Sequence, residues 1–159
     1  MTKSIKLMMA TNKDVEILHK IQVEAFMPLL QKYNDTQTNP AKETIEKLAE
    51  RIAETRSDYY VIHFHKEIVG GIRVVPLSDN RTRISPIYIG LIYQGKGIAQ
   101  EVFKQIEQMY SATVEWELDT IKQEKGNCYL YEKLGYRKAG KEVVINDKMT
   151  LISYLKKLN

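Results

Sequence analysis

The apolar pattern of this chain changes period at a short turn containing two glycines. Between Asp58 and Ile92, Tyr, Val and Ile recur in short runs broken by polar residues. Beyond Gly95, Ile98, Val102, Phe103, Ile106 and Met109 fall at helical spacing instead. Side chains alternate along a strand and return every 3.6 residues along a helix, so the backbone must pass from sheet to helix within Gln94-Gly95-Lys96-Gly97-Ile98-Ala99.

Around that turn the remaining elements follow from pattern. Asp58 to His65, Ile68 to Leu77 and Arg83 to Ile92 read as three strands joined by polar turns at Lys66-Glu67 and Ser78 to Thr82, an antiparallel meander. Ser4 to Ala10 reads as a first strand, followed by a helix from Lys13 to Tyr33 with Val15, Leu18, Ile21, Ala25 and Leu29 on one face and Thr11 and Asp14 at its start. Asn39 as N-cap and Pro40 in the first turn announce a second helix carrying Ile45, Leu48 and Ile52. After the helix from Gly95 to Tyr110 come a strand at Thr113 to Asp119, a helix at Glu124 to Leu134 stopped by Gly135, and a closing pair of strands within Lys141 to Leu155. The expected class is α+β, with a mixed, mostly antiparallel central sheet flanked by about four helices in three layers.

Length and composition narrow the function classes. A chain of 159 residues that is 43% hydrophobic and 28% charged can bury one core, and no linker or repeat divides it, so residues 1–159 are expected to form a single domain. No run is long enough to span a bilayer, and the N-terminus lacks the apolar stretch of a secretion signal, so a cytoplasmic protein without membrane attachment is expected. One cysteine and three scattered histidines offer no metal-site spacing. The net charge of +4 is spread among interleaved acids, unlike the basic stripe of a nucleic-acid binder; it supports only a mild attraction for anionic ligands.

The turn itself can hold an anion. A helix start leaves backbone N–H groups unpartnered and partly positive, and Gly95 and Gly97 remove side chains that would keep a phosphate away. The competing account is a tight strand-to-helix bend and nothing more. Two phosphate loops are excluded: Gly97 is followed by Ile98 and not by the Lys-Ser/Thr of a Walker A loop, and a dinucleotide loop needs glycine where Gln100 stands, together with a parallel crossover that a meander lacks.

The turn resembles the signature of the GCN5-related N-acetyltransferase (GNAT) family: Gln or Arg, two residues, Gly, one residue, then Gly or Ala. Ile87 to Tyr93 likewise resembles that family's fourth strand, with Leu91 in place of a frequent proline. The resemblance implies acetyl-CoA as cosubstrate without a metal, its pyrophosphate on the amides of Gln94, Gly95, Lys96, Gly97, Ile98 and Ala99, and its pantetheine arm along Ile87 and Ile89. It further implies an N-acetyltransferase acting on a small-molecule or peptide amine.

Asn127 and Tyr131 lie one helical turn apart on one face. An amide there suits the amides of a pantetheine arm; a phenol with a pKa near 10 stays protonated beside a thiolate whose own value is about 8.5, and can protonate it. Alternatively Tyr131 packs in the core while Asn127 solvates the helix start. The run Asn127 to Tyr136 resembles the family's second motif, which implies cofactor contact for Asn127 and a general-acid role for Tyr131. Cys128 has no histidine partner and reads as a small buried hydrophobe.

The general base is not assigned. Relatives often place a glutamate on the fourth strand, but Arg81 to Ile87 contains no acid. Glu24, Asp35, Glu117 and Asp119 are candidates acting through water, each also an ordinary surface acid; His63 and His65 share one strand face and read as structural. The rivals are a non-catalytic acyl-CoA sensor and a nucleotide-dependent phosphotransferase, the latter disfavoured by the missing magnesium motif. A homodimer is compatible with so small a fold.

Overall fold

The computed structural model describes residues 4–158. In chain order the elements are β1 (Ile5–Met9), α1 (Val15–Tyr33), α2 (Ile45–Ala53), β2 (Asp58–Phe64), β3 (Glu67–Pro76), β4 (Arg81–Ile89), α3 (Ile98–Met109), β5 (Glu115–Ile121), α4 (Lys125–Lys133), β6 (Arg137–Asn146) and β7 (Met149–Lys157). The strands form one sheet in the order β1-β2-β3-β4-β5-β7-β6, antiparallel except where β4 meets β5.

Three layers arise because the central strands are apolar on both faces. In β2, Tyr59 and Val61 pack with Leu18 and Ile21 of α1 and Leu48 of α2. The alternate residues Tyr60 and Ile62 belong to the larger core with Ile98, Val102, Phe103 and Ile106 of α3. A period of two thus divides one continuous apolar run between two helical layers.

Local expectations held where a cap or a glycine decides them. Thr11 and Asp14 form a reciprocal capping box that starts a short 3-10 turn leading into α1. The helix continues past Pro28 to Tyr33 and stops where Asn34 takes a left-handed conformation. Gly135, with φ of 100°, follows α4.

Four expectations change. Asn39 and Pro40 start only a 3-10 turn, Pro40–Lys42; Glu43 is extended, and α2 begins later with Thr44 as its cap, the hydroxyl accepting from Lys47 N at 3.1 Å. The β2–β3 turn falls on His65 and Lys66, both at positive φ (51° and 70°), one residue earlier than expected. His65 therefore leaves the strand and shares no face with His63. The closing strands are longer than Lys141 to Leu155, with β6 starting at Arg137 directly after the Gly135 turn. Finally, β4, α3 and β5 form a parallel crossover: Arg81, Thr82 and Arg83 align with Glu115, Trp116 and Glu117. The meander stops at β4, so the absence of a crossover cannot count against a dinucleotide loop, whereas Gln100 still does.

That parallel pairing covers three residues and ends at Arg83. On its other side β4 bulges, since Ile72 pairs with Ile87 but Val74 with Ile84, leaving Ser85 and Pro86 opposite Arg73 alone. Arg73 pins the bulge, donating to Ser85 O at 3.2 Å and to Glu54 Oε1 beyond α2 at 2.7 Å. The Arg73 guanidinium, followed by the Ser57 hydroxyl, holds the Glu54 carboxyl down at about 2. A depressed acid contributes stability above its unfolded value and loses it as pH falls through the folded one, so this tie persists at neutral pH and loosens only toward pH 2.

The β3–β4 contact is close enough to require glycine. A Cβ on Gly70 would stand 2.0 Å from the Tyr88 carbonyl oxygen, and one on Gly71 2.5 Å from the Tyr88 hydroxyl. That hydroxyl is hydrogen-bonded to Tyr59 Oη at 2.7 Å within the α1–α2 layer. Gly70→Ala should destabilise the fold by about 1–3 kcal/mol in urea denaturation, because backbone must move to admit the methyl. Gly126→Ala, with nothing within 4 Å of the added carbon, should be neutral or stabilising by up to about 1 kcal/mol.

Candidate active site

Beyond Arg83 and Glu117 the strands β4 and β5 separate, and a cleft of about 810 Å³ opens between them. Its walls are β4 from Arg83 to Ile89, the start of α3, the end of β5, the exposed side of α4 and the C-terminal half of α1. A central strand has thereby lost a neighbour. Gly90 N–H donates to Val69 O at 2.7 Å, and by the alternation of an antiparallel ladder the main-chain groups of Ile87 and Ile89 point away from β3, toward the cleft. The Ile89 carbonyl accepts from Gln94 Nε2 at 2.9 Å, which leaves its N–H as the group directed at a ligand.

The turn after β4 is shaped as the sequence suggested. Gly95 and Gly97 have φ of 77° and 80°, and a Cβ on either would meet nothing within 4 Å. No side chain caps α3, and the first backbone bond of its opening turn runs from Glu101 N to Gly97 O at 3.3 Å. The N–H groups of Ile98, Ala99 and Gln100 are therefore directed out of the helix end, where the peptide dipoles favour an anion. Ile98 is buried and fastens the helix start to the core. Tyr93 holds the other end of the turn, its hydroxyl donating to Glu67 Oε2 at 2.6 Å and its ring meeting Phe64 edge-on. Gln94, Gly95, Gly97, Ile98 and Ala99 all line the cleft, whereas Lys96 is exposed at the turn and does not. Gln94 acts as a brace through its side chain.

Asn127 and Tyr131 both line the facing wall. The Tyr131 ring sits among Phe103, Tyr136 and Tyr154, with centroids 5.8, 6.2 and 6.2 Å away. The ring thus packs in the aromatic cluster while the residue also lines the cleft. Its hydroxyl has no hydrogen-bond partner among the described residues, and burial, followed by Cys128, pushes its pKa up to about 12. Cys128 is buried in the same core.

The cleft also contains an acid that sequence reading missed. Glu124 precedes α4 and stands at i, i+3 and i+7 with Asn127 and Tyr131, so all three lie on one face. Its Oε2 accepts from Tyr33 Oη at 2.5 Å and from Lys32 Nζ at 2.8 Å, both from the end of α1. Burial opposes its ionisation, but those two donors outweigh it and hold the pKa below the usual carboxylate value. The signal was the spacing to Tyr131; the partners on α1 lie 91 and 92 positions away and had none.

Of the four acids considered as bases, two line the cleft. Asp119 does, paired with Arg83 at 2.9 Å and accepting from Ser153 Oγ at 2.8 Å. Asp35 does too, but it is buried and committed to its own turn, accepting from Gln37 N, Thr38 N and the Thr38 hydroxyl. Glu117 is bound to Arg81 and Arg83 and Glu24 is exposed, both outside the lining, as are His63 and His65. Burial works against the charge of Arg83, yet Asp119 and Glu117 more than offset it and keep the guanidinium ionised. Among the described residues no group of three or more His, Cys, Asp or Glu is placed to hold a metal, and no helix is long and apolar enough to cross a membrane.

A family model described as an acetyltransferase (GNAT) domain matches residues 29–158. Comparison with curated proteins returned no match. Solved structures share the fold at low identity. A PaiA N-acetyltransferase from Thermoplasma acidophilum, in complex with coenzyme A, is 16% identical with a TM-score of 0.75, over 97% of this chain and 99% of that one. A spermidine N-acetyltransferase from Vibrio cholerae, in complex with CoA and spermine, is 15% identical with a TM-score of 0.77, over 98% and 96%. A GNAT family acetyltransferase from Elizabethkingia anophelis with acetyl-CoA bound is 17% identical with a TM-score of 0.67, over 98% and 99%.

If the turn binds pyrophosphate, Gly97→Val should raise the calorimetric Kd for coenzyme A tenfold or more, by filling the approach to the helix end and straining a left-handed residue. Gly140→Val is the control. It imposes similar strain at φ of 81° in open space on β6, and should leave that Kd unchanged.

Proposed function

The chain belongs to the GNAT acetyltransferase family, whose members take the acetyl group from acetyl-CoA, and on that premise we propose that it transfers acetyl directly to a primary amine, with Tyr131 as general acid. The observation that carries this reading is Tyr131, which lines the same cleft as the glycine turn and the β4 edge and whose hydroxyl has no hydrogen-bond partner among the described residues. We read residues 1–159 as one such domain, in keeping with the single sheet.

Acetyl-CoA is oriented from its pyrophosphate, on the amides of Gly95 to Ala99. Its pantetheine arm lies against the free edge of β4 at Ile87 and Ile89 and beside Asn127. This sets the thioester between the separated strands, near Tyr131. The Ile87 N–H, farther along this edge from the turn, is directed at the carbonyl oxygen, where negative charge develops on attack. Asp119 and Glu124 hold the acceptor ammonium at the other end, and its proton passes to water held against them.

The neutral amine then attacks the thioester carbon, the C–N bond forms as the C–S bond breaks, the thiolate takes the Tyr131 proton, and the proton shed by the new amide nitrogen passes through water to restore the phenol. Burial that raises the phenol also raises the proton affinity of a thiolate leaving into the same apolar wall, so the two shift in the same direction. Placing acid and carbonyl in one fixed geometry supplies the remaining advantage.

Tyr131→Phe should lower kcat about 100-fold with little change in the KM for acetyl-CoA; an unaltered kcat would remove the acid role. With the phenol held neutral up to about 12, its protonation is constant from pH 7 to 10. The ratio of wild-type to variant rates should therefore stay flat over that range, whatever shape either profile takes.

A further inference from the structure

The cleft does not end at the acidic groups. Thr38, Asn39, Pro40, Ser85 and Pro86 also line a second hollow of about 390 Å³, which continues the cleft over the start of α2. The two hollows have opposite charge. Asp119 and Glu124 stand in the main cleft, Asp119 with Arg83, whereas Lys42, Lys47 and Arg51 line the second against one acid, Glu43.

That acid is already committed. Glu43 Oε1 accepts from Gln22 Nε2 at 3.2 Å and its Oε2 from Arg51 Nε at 2.8 Å. The Glu43–Arg51 contact is largely shielded, with side-chain exposures of 13% and 28%, so the guanidinium is held by its Nε while its terminal nitrogens remain for another partner. Lys42 forms no ion pair among the described residues. Lys47 reaches only Glu50, at 3.4 Å on the exposed surface of α2, a contact weak enough to be exchanged for a ligand. A hollow of this size admits a carboxylate or phosphate with several carbons, and water there does not repay the mutual repulsion of the cations as an anion would.

We infer that the acceptor is an amine that also bears an anionic group, a carboxylate or a phosphate, with the ammonium at Asp119 and Glu124 and the anion at Lys42, Lys47 and Arg51. This rests on the amine-acetylation reading above and narrows it, setting polycations such as spermidine among the poor acceptors. The anion fixes register: it is bound first by the cations of the hollow, and the amine is presented to the thioester from that anchor.

The test compares kcat/KM for matched pairs, 4-aminobutyrate against 4-aminobutanamide and O-phosphoethanolamine against ethanolamine, with spermidine as the polycation. The expected result is a preference of tenfold or more for the anionic member of at least one pair, and the pair that shows it separates carboxylate from phosphate. The preference should fall tenfold in Lys42→Ala/Lys47→Ala and further in Lys42→Glu, at an unchanged Tm since both lysines are exposed. Preference for the neutral member or for spermidine, or an anionic preference that survives these substitutions, overturns the inference. Calorimetry of O-phosphoethanolamine and 4-aminobutyrate on the coenzyme A-saturated protein distinguishes the two readings. Lysine-dependent binding without turnover sustains the anion hollow and sinks acetyl transfer; absence of binding, with turnover of other amines, sinks the hollow alone.

Discussion

The parting of β4 and β5 after three paired residues is the constraint on which the rest of the molecule depends. A strand in the middle of a sheet carries main-chain groups on both edges, and a missing neighbour leaves one edge to be satisfied by something else. Here the loss is confined to the half of β4 beyond Arg83, where the bulge at Ser85 and Pro86 turns the strand and Arg73 ties that bulge to Glu54. A ligand with amide groups of its own, as the pantetheine arm has, can complete such an edge as a further strand would.

Everything else in the cleft is arranged about that gap. The crossover from β4 to β5 through α3 points the helix start at its mouth, and α4 presents Glu124, Asn127 and Tyr131 along the opposite wall. The end of α1 reaches Glu124 through Tyr33 and Lys32, which favour its ionised form. Arg83, Glu117 and Asp119 span the point where the strands divide, so an ion-pair network sits where the backbone pairing stops. Such partly buried pairs set position more than stability.

Much of this was legible along the chain because it is local. The capping box at Thr11 and Asp14, the glycine turn and the α3 stripe each depend on residues within a few positions of one another. The misplacements came from contests between near-equal local options. Asn39 does act as a cap, but Thr44 starts the longer helix, and the two-residue turn at His65 and Lys66 carries no glycine to mark it. Long-range ties could not be read at all: Glu124 had its spacing to Tyr131, but its partners Tyr33 and Lys32 left no local signal, and the cationic hollow formed only once α2 folded beside β4.

By itself the sequence determined the element types, the strand-to-helix turn with its free amides, and the spacing that brings Asn127 and Tyr131 to one face, since periodicity and glycine conformational freedom act over short separations. Tertiary structure alone decided that β4 and β5 run parallel and then part, that Asp35 is spent on its own turn while Asp119 and Glu124 reach the cleft, and that acidic and basic walls adjoin. Those outcomes depend on which strands become neighbours and on which charges lose their water, and both are settled by packing between residues far apart in the chain.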